Sequence, residues 1–144
     1  PLAGEMSGHI FIGDGYLGFD DAIYAAIRLI TQMVDTGQSI TAFMDSLPEQ
    51  HATPELRIEC PDTLKFDTMS RIHGHVLETN DADDVNVIDG VRVRAGGGWW
   101  LVRASNTEAA LVARAEATSR SELDALLTQL ETSLAAAGLD WRRP

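Results

Sequence analysis

The feature that most constrains this chain is an imbalance on either side of Leu47-Pro48-Glu49-Gln50-His51-Ala52-Thr53-Pro54. With two prolines and little periodicity, residues 48–53 read as a linker, since proline fixes φ and removes a backbone donor. Before it lies material for one strand and one helix. His9 to Ile12 is a short apolar run bounded by the turn signal Gly13-Asp14-Gly15. From Ala22 to Val34, Ile23, Ile27, Ile30 and Val34 recur at helical spacing. Asp20 is placed to cap the free N–H groups, and Gly37 follows the end. One strand and one helix cannot enclose a core, so residues 1–47 read as the C-terminal remnant of a larger α/β domain.

After the linker the pattern is complete. Leu56, Ile58 and Cys60 alternate along Glu55–Cys60 as in a half-buried strand. Pro61 and Asp62 suit the first turn of a helix running to about Leu77. Residues 84–88 and 91–93 are β-rich and flank Asp89-Gly90, a two-residue hairpin signal. Gly96-Gly97-Gly98 turns the chain into Trp99–Arg103, where one of the adjacent Trp99 and Trp100 must face the core and the other must not. Ala110–Ala117 is the last strand. Leu123, Leu126, Leu127, Leu130 and Leu134 then form one stripe of a helix over 121–137, stopped by Gly138. The order β-α-β-β-β-α over residues 54–144 predicts an α+β domain, a four-stranded, mainly antiparallel sheet with two helices against one face.

Composition narrows the function classes. The 144 residues carry 22 acidic and 11 basic side chains, a net charge of -11, which opposes a general nucleic-acid surface because phosphate backbones are met by clustered Lys and Arg. No apolar run approaches the roughly 20 residues of a membrane span and no leader-like segment is present, so a cytoplasmic setting is expected, with neither membrane nor nucleic acid as partner. The single cysteine, Cys60, excludes an internal disulfide and reads as a small buried hydrophobe.

Two stretches carry chemistry. Gly4-Glu5-Met6-Ser7-Gly8-His9 brackets a carboxylate, a hydroxyl and an imidazole between glycines. Glu5 and Ser7 can face one way along an extended segment, where a carboxylate accepts from two neighbouring sugar hydroxyls; a solvated loop is the equal alternative. Arg103-Ala104-Ser105-Asn106-Thr107-Glu108 gathers a guanidinium, two hydroxyls and a carboxamide at a strand junction. That donor set suits a phosphate dianion, although Ser-Asn-Thr is also ordinary turn chemistry, with Arg103 paired to a neighbour such as Glu108. His73-Gly74-His75 lacks a second ligand pair and reads as surface. Asp14 is a single carboxylate where a magnesium loop offers several, and reads as part of a turn.

These two loops, in this order, resemble the C-terminal part of the phosphomannomutase/phosphoglucomutase family, the α-D-phosphohexomutases. Gly4–His9 is similar to the sugar-binding loop of the third domain, and Phe19-Asp20-Asp21-Ala22-Ile23-Tyr24 to the helix that follows it. Thr53-Pro54-Glu55 resembles the start of the fourth domain, while Asp89-Gly90-Val91-Arg92 and Arg103–Glu108 resemble its hairpin and phosphate-binding loop. The resemblance implies that Glu5 and Ser7 bind sugar hydroxyls and that His9 lines the site near the reacting phosphate. Arg103, Ser105, Asn106 and Thr107 would hold the phosphate that is not reacting. It further implies exchange between hexose 1-phosphate and hexose 6-phosphate through a hexose 1,6-bisphosphate, with glucose or mannose as the sugar. The phosphoserine and the Mg2+ loop of the family would lie in N-terminal domains missing from this chain. A start at Pro1 fits such a fragment, which is expected to be inactive alone, with no catalytic or metal-binding residue of its own, and open to self-association through the first helix. One departure stands out: Ala109 replaces the proline usual after the loop's glutamate. Met6 stands where phosphoglucosamine mutases tend to carry glutamine. Those relatives also tend to have Ser-Gly-Thr where this chain has Ser105-Asn106-Thr107, so a phosphoglucosamine mutase fragment is the lesser alternative within the family. A separate, non-catalytic sugar-phosphate binding module is the alternative outside it.

Overall fold

The computed structural model describes residues 1–5 and 7–143; Met6 lies outside the described residues. The chain divides into two compact units, Pro1–Leu47 and Pro48–Pro144.

In the first unit a short hairpin precedes two helices. Strand β1 (Leu2–Gly4) pairs antiparallel with β2 (Ile10–Ile12) in the register Leu2↔Ile12, Ala3↔Phe11 and Gly4↔Ile10. The Gly4–His9 segment is therefore the tip of a hairpin, tied across its base by Glu5 N–H to His9 O at 2.9 Å. Helix α1 (Ala22–Thr36) starts one residue later than the sequence suggests: Asp21, not Asp20, is the N-cap, its Oδ1 accepting from Tyr24 N–H at 2.9 Å. Asp20 is drawn instead to the hairpin, as described below. Gly37 ends the helix at φ 66°, in the left-handed region that favours glycine. A short α2 (Ile40–Asp45), capped by Ser39, follows. No residue of α1 is buried within this unit: Ile23, Ile27, Ile30 and Val34 all face outward, with Ile23 76% and Val34 75% exposed.

The second unit contains the core. Among the described residues its sheet has six strands rather than the four expected: the predicted linker contributes one, and the β-rich run 84–88 supplies a strand of its own at Val85–Asn86. Strand β3 (His51–Ala52) arises inside the predicted linker: His51 pairs with Ala117 and Ala52 with Glu116, and Thr53 continues the contact by exchanging hydrogen bonds with Ala115. Strand β4 (Leu56–Glu59) pairs with the same strand, β8 (Ala110–Ala117), further along. Strand β5 (Val85–Asn86) follows a 3-10 turn and pairs with β6 (Val91–Ala95). The Asp89-Gly90 hairpin is wider than its two-residue signal implied, since Asn86 Oδ1 accepts from Ile88 N–H at 3.0 Å and opens the loop before Asp89. Strand β7 (Gly98–Ala104) completes the ladder between β6 and β8.

Helix α3 (Lys65–Thr79) becomes regular later than predicted. Pro61 O accepts from both Leu64 and Lys65 N–H, so the chain already turns over 61–64. Helix α4 (Arg120–Ala136) is capped by Ser119 and buries the whole predicted leucine stripe. Those leucines, with Ile72 and Val76 of α3, join Ile58, Val93, Trp100, Val102 and Leu111 of the sheet. Trp100 is the inward member of the tryptophan pair, 1% exposed, while Trp99 lies under the Arg92 guanidinium at 4.7 Å. Fully burying one such large apolar side chain is worth about 1.5–3 kcal/mol, so the second unit has far more holding it than the first.

Amide protection follows from that contrast. In a dilute monomer, α4 amides are expected to exchange through global opening of the second unit, and α1 amides orders of magnitude faster. Hydrogen exchange read by mass spectrometry or NMR checks this; equal protection of the two helices would contradict it.

Candidate sugar and phosphate loops

In the first unit the hairpin tip gathers polar groups. Ser7 Oγ donates to Glu5 Oε2 at 3.0 Å, both side chains being exposed, so the structure brings these two predicted residues together. Gly8, at φ 92°, makes the turn that returns the chain to His9. His9 Nδ1 lies 2.5 Å from Asp20 Oδ2, and Asp20 Oδ1 also accepts from Ile10 N–H at 3.4 Å. Because one ring nitrogen is committed to Asp20, the imidazole is oriented with Nε2 free for a ligand. The hydrogen bond to Asp20, and then its charge, raise the His9 pKa above the usual 6.5. Asp21 is held by a different set: Tyr16 Oη donates to its Oδ2 at 2.6 Å, and Tyr16 stacks on Tyr24 with ring centroids 3.7 Å apart. The adjacent aspartates thus divide the work, one for the imidazole and one for the helix.

In the second unit, β7 and β8 deliver Arg103–Glu108 as the connection between them, with Arg103 opposite Val112 and Ala104 opposite Leu111. Ser105 is buried and its Oγ accepts from Thr107 N–H at 3.3 Å and Glu108 N–H at 3.1 Å. It organises the loop as a serine turn while its own hydroxyl hydrogen stays available to donate. Asn106 and Thr107 are exposed at the tip. Arg103 Nε is 3.9 Å from Asp89 Oδ2, too far for a hydrogen bond, so the guanidinium is placed electrostatically and retains its donors. Gly90 makes this approach feasible: a Cβ there would sit 2.3 Å from Val102 O and 2.6 Å from Arg103 Cβ. The pairing of Arg103 with Glu108 that the turn reading offered does not form, because Glu108 contacts Arg57. Beside the loop an open groove of about 410 Å³ runs past Asn106, Asp89, His73 and Ser70 over Phe66 and Met69.

The loop has support that the sequence reading missed. Lys65, buried at the start of α3, sends Nζ to Ser105 O at 2.6 Å and Glu108 O at 2.8 Å, and its ammonium pairs with Asp62 at 2.7 Å. A lysine in the first turn of a helix opposes the helix dipole, and that was the signal available. Arg57, on β4, could not be linked to Glu108 from sequence at a separation of 51 residues. Among the described residues no three His, Cys, Asp or Glu side chains come together as a metal site.

The class the fold defines is an α+β domain with a serine-centred loop between its last two strands, preceded by a unit that carries Glu5, Ser7 and His9 on a short hairpin. Comparisons with known proteins name the family. Residues 1–51 match the phosphoglucomutase/phosphomannomutase alpha/beta/alpha domain III, and residues 55–133 match the phosphoglucomutase/phosphomannomutase C-terminal domain. The chain belongs to the phosphoglucomutase/phosphomannomutase family. A phosphomannomutase/phosphoglucomutase of Pseudomonas putida is 43% identical over 137 residues, covering 92% of this chain and 28% of the relative. A phosphoglucomutase of Neisseria gonorrhoeae is 36% identical over 123 residues, covering 85% of this chain and 26% of the relative. The crystal structure of a family protein from Burkholderia thailandensis superposes with a TM-score of 0.78 at 36% identity, covering 96% of this chain and 28% of that one. The chain thus spans little more than a quarter of the length of these relatives. In the described residues no helix is long and apolar enough to cross a membrane.

The His9–Asp20 pair has a measurable signature. With its folded-state pKa raised, His9 stabilises the fold while charged. That contribution is complete below the ordinary value of 6.5 and is lost as pH rises through the folded value. An NMR titration should place His9 above 6.5, and Asp20→Asn should return it toward that value. An unchanged titration in the variant would show that Asp20 does not set the imidazole's charge.

Proposed function

We propose that this chain is the sugar- and phosphate-holding part of a phosphohexomutase that interconverts hexose 1-phosphate and hexose 6-phosphate, with mannose or glucose as the sugar, through a hexose 1,6-bisphosphate. Glu5 and Ser7 bind sugar hydroxyls, His9 lines the site near the reacting phosphate, and Arg103, Ser105, Asn106 and Thr107 hold the phosphate that is not reacting. The observation that carries this reading is the Arg103–Glu108 connection, whose serine turn leaves a guanidinium, a hydroxyl hydrogen, a carboxamide and a second hydroxyl available together. Each terminal oxygen of a phosphate needs donors, and a guanidinium fork supplies two with the balancing charge.

The reaction requires the sugar to be held in two opposite orientations, so the useful contacts are those that work in both. The Glu5 carboxylate can accept from either of two adjacent hydroxyls, and Ser7, held by Glu5, can donate or accept beside it. A phosphate clamp serves the 1-phosphate and the 6-phosphate alike. These residues contribute positioning, which lowers the entropic cost of the transfer, and leave the group that carries the phosphoryl to the rest of the enzyme. The partners are accordingly a phosphorylated hexose and the N-terminal domains of the same enzyme, in a cytoplasmic setting. The outward apolar stripe on α1 is the face on which the remainder of domain III packs, and in the separate chain it is open to self-association.

Arg103→Ala in the full-length enzyme is the direct test. Loss of one or two charge-assisted hydrogen bonds, each worth about 1.5–3 kcal/mol, predicts a drop of roughly 10- to 1000-fold in kcat/KM in both directions, with the melting temperature almost unchanged. Normal efficiency would show that Arg103 holds no phosphate. A loss confined to one direction would contradict the two-orientation reading.

A further inference from the structure

We propose that Lys65 is the positioning residue that turns the connection between β7 and β8 into an anion-binding loop, an inference that rests on the phosphate reading of that loop. Its ammonium is buried, 7% exposed, beneath the loop rather than on its outer surface, and it touches the loop only through the backbone carbonyls of Ser105 and Glu108. The argument follows from peptide geometry. In a trans peptide the C=O and the following N–H point in opposite directions, and no cis bond is found among the described residues. Drawing Ser105 O and Glu108 O inward onto Lys65 therefore turns the N–H groups of Asn106 and Ala109 outward. The two remaining loop amides, of Thr107 and Glu108, are occupied by Ser105 Oγ. Lys65 and Ser105 thus sort the loop's backbone into carbonyls facing the core, two amides satisfied within the turn, and two amides facing the ligand side. A cluster of outward N–H groups above a buried cation is an anion-binding concavity, and Asn106 N–H and Ala109 N–H would add backbone donors to those of the Arg103 guanidinium.

Placement in the fold suits this role. Lys65 sits at the start of α3, anchored behind by Thr68, Ile72 and Val76, which are buried on the same helix, and Asp62 holds the ammonium from the solvent side. The loop is therefore pinned to a core helix and not only to its own two strands, which limits the backbone disorder that would otherwise oppose binding.

The test uses the 144-residue chain and inorganic phosphate, followed by amide chemical shifts. In the wild type, phosphate should move the Asn106 and Ala109 amides most. Lys65→Met should weaken phosphate binding about 10-fold or more and speed exchange of the Thr107 and Glu108 amides, while Val102 and Ala113 in the sheet stay protected; Lys65→Arg, which keeps charge and donors, should recover binding to within a few-fold. Should Lys65→Met not fold, Lys65→Gln, which keeps a donor but no charge, is read in the same way. Wild-type binding with Lys65→Met within twofold of it would overturn the role of Lys65 alone. Wild-type loop amides that ignore phosphate would overturn the phosphate reading, and this inference with it.

Discussion

The ladder between β7 and β8, running from Gly98↔Ala117 to Ala104↔Leu111, is the constraint on which the rest of the second unit depends. Strand β8 is paired along one side by β7 and along the other by β3 and β4, so its backbone is satisfied on both edges and it can be buried. Its inward face is Leu111, Ala113, Ala115 and Ala117, all at most 1% exposed. The small alanine side chains let helices lie close to the sheet, where the larger groups of α4 and Trp100 fill the space between layers. The same ladder fixes both ends of the connection between β7 and β8, because Arg103 and Ala104 are still strand residues when the chain leaves β7 and Ala110 already pairs in β8.

That arrangement separates precision from burial. The loop's side chains are at the surface, but their backbone is held by groups that are not: Ser105 within the loop and Lys65 from below. Arg103 stands on a strand, with Asp89 of the neighbouring hairpin close enough to bias it and too distant to occupy its donors. Arg103 is therefore not locked in a strong ion pair, whereas the nearby Arg57 and Glu108 are committed to each other. The first unit organises its loop by simpler means, a three-residue hairpin pairing and one carboxylate, Asp20, that reaches both the His9 ring and the Ile10 amide.

Much of the fold was legible because its signals are local and periodic. The leucine stripe of α4, the alternation of β4, the extent of β8 and the inward and outward pair of tryptophans all follow from the 3.6- and 2-residue repeats of helix and strand. The misreadings came where a distant partner outweighs local preference. His51 and Ala52 lie between prolines and carry no strand signal, yet the free edge of β8 beside Glu116 and Ala117 recruits them. Asp20 and Asp21 are equally good caps in sequence, and only the position of the hairpin assigns one to His9 and leaves the other to α1.

The sequence by itself determined the class of fold, its longer helices and strands, the family, and the two stretches in which hydroxyl, carboxylate, imidazole and guanidinium groups concentrate, since each of these is written in residue type and short-range spacing. Tertiary structure alone decided which groups are free to act. Lys65 reaches Ser105 and Glu108 across 40 and 43 residues, and Arg57 reaches Glu108 across 51, distances over which no periodicity survives. Whether a charged side chain supports a loop, neutralises a neighbour or waits for a ligand depends on what folding places within about 4 Å of it, because interactions between charges at larger separations are weakened by solvent.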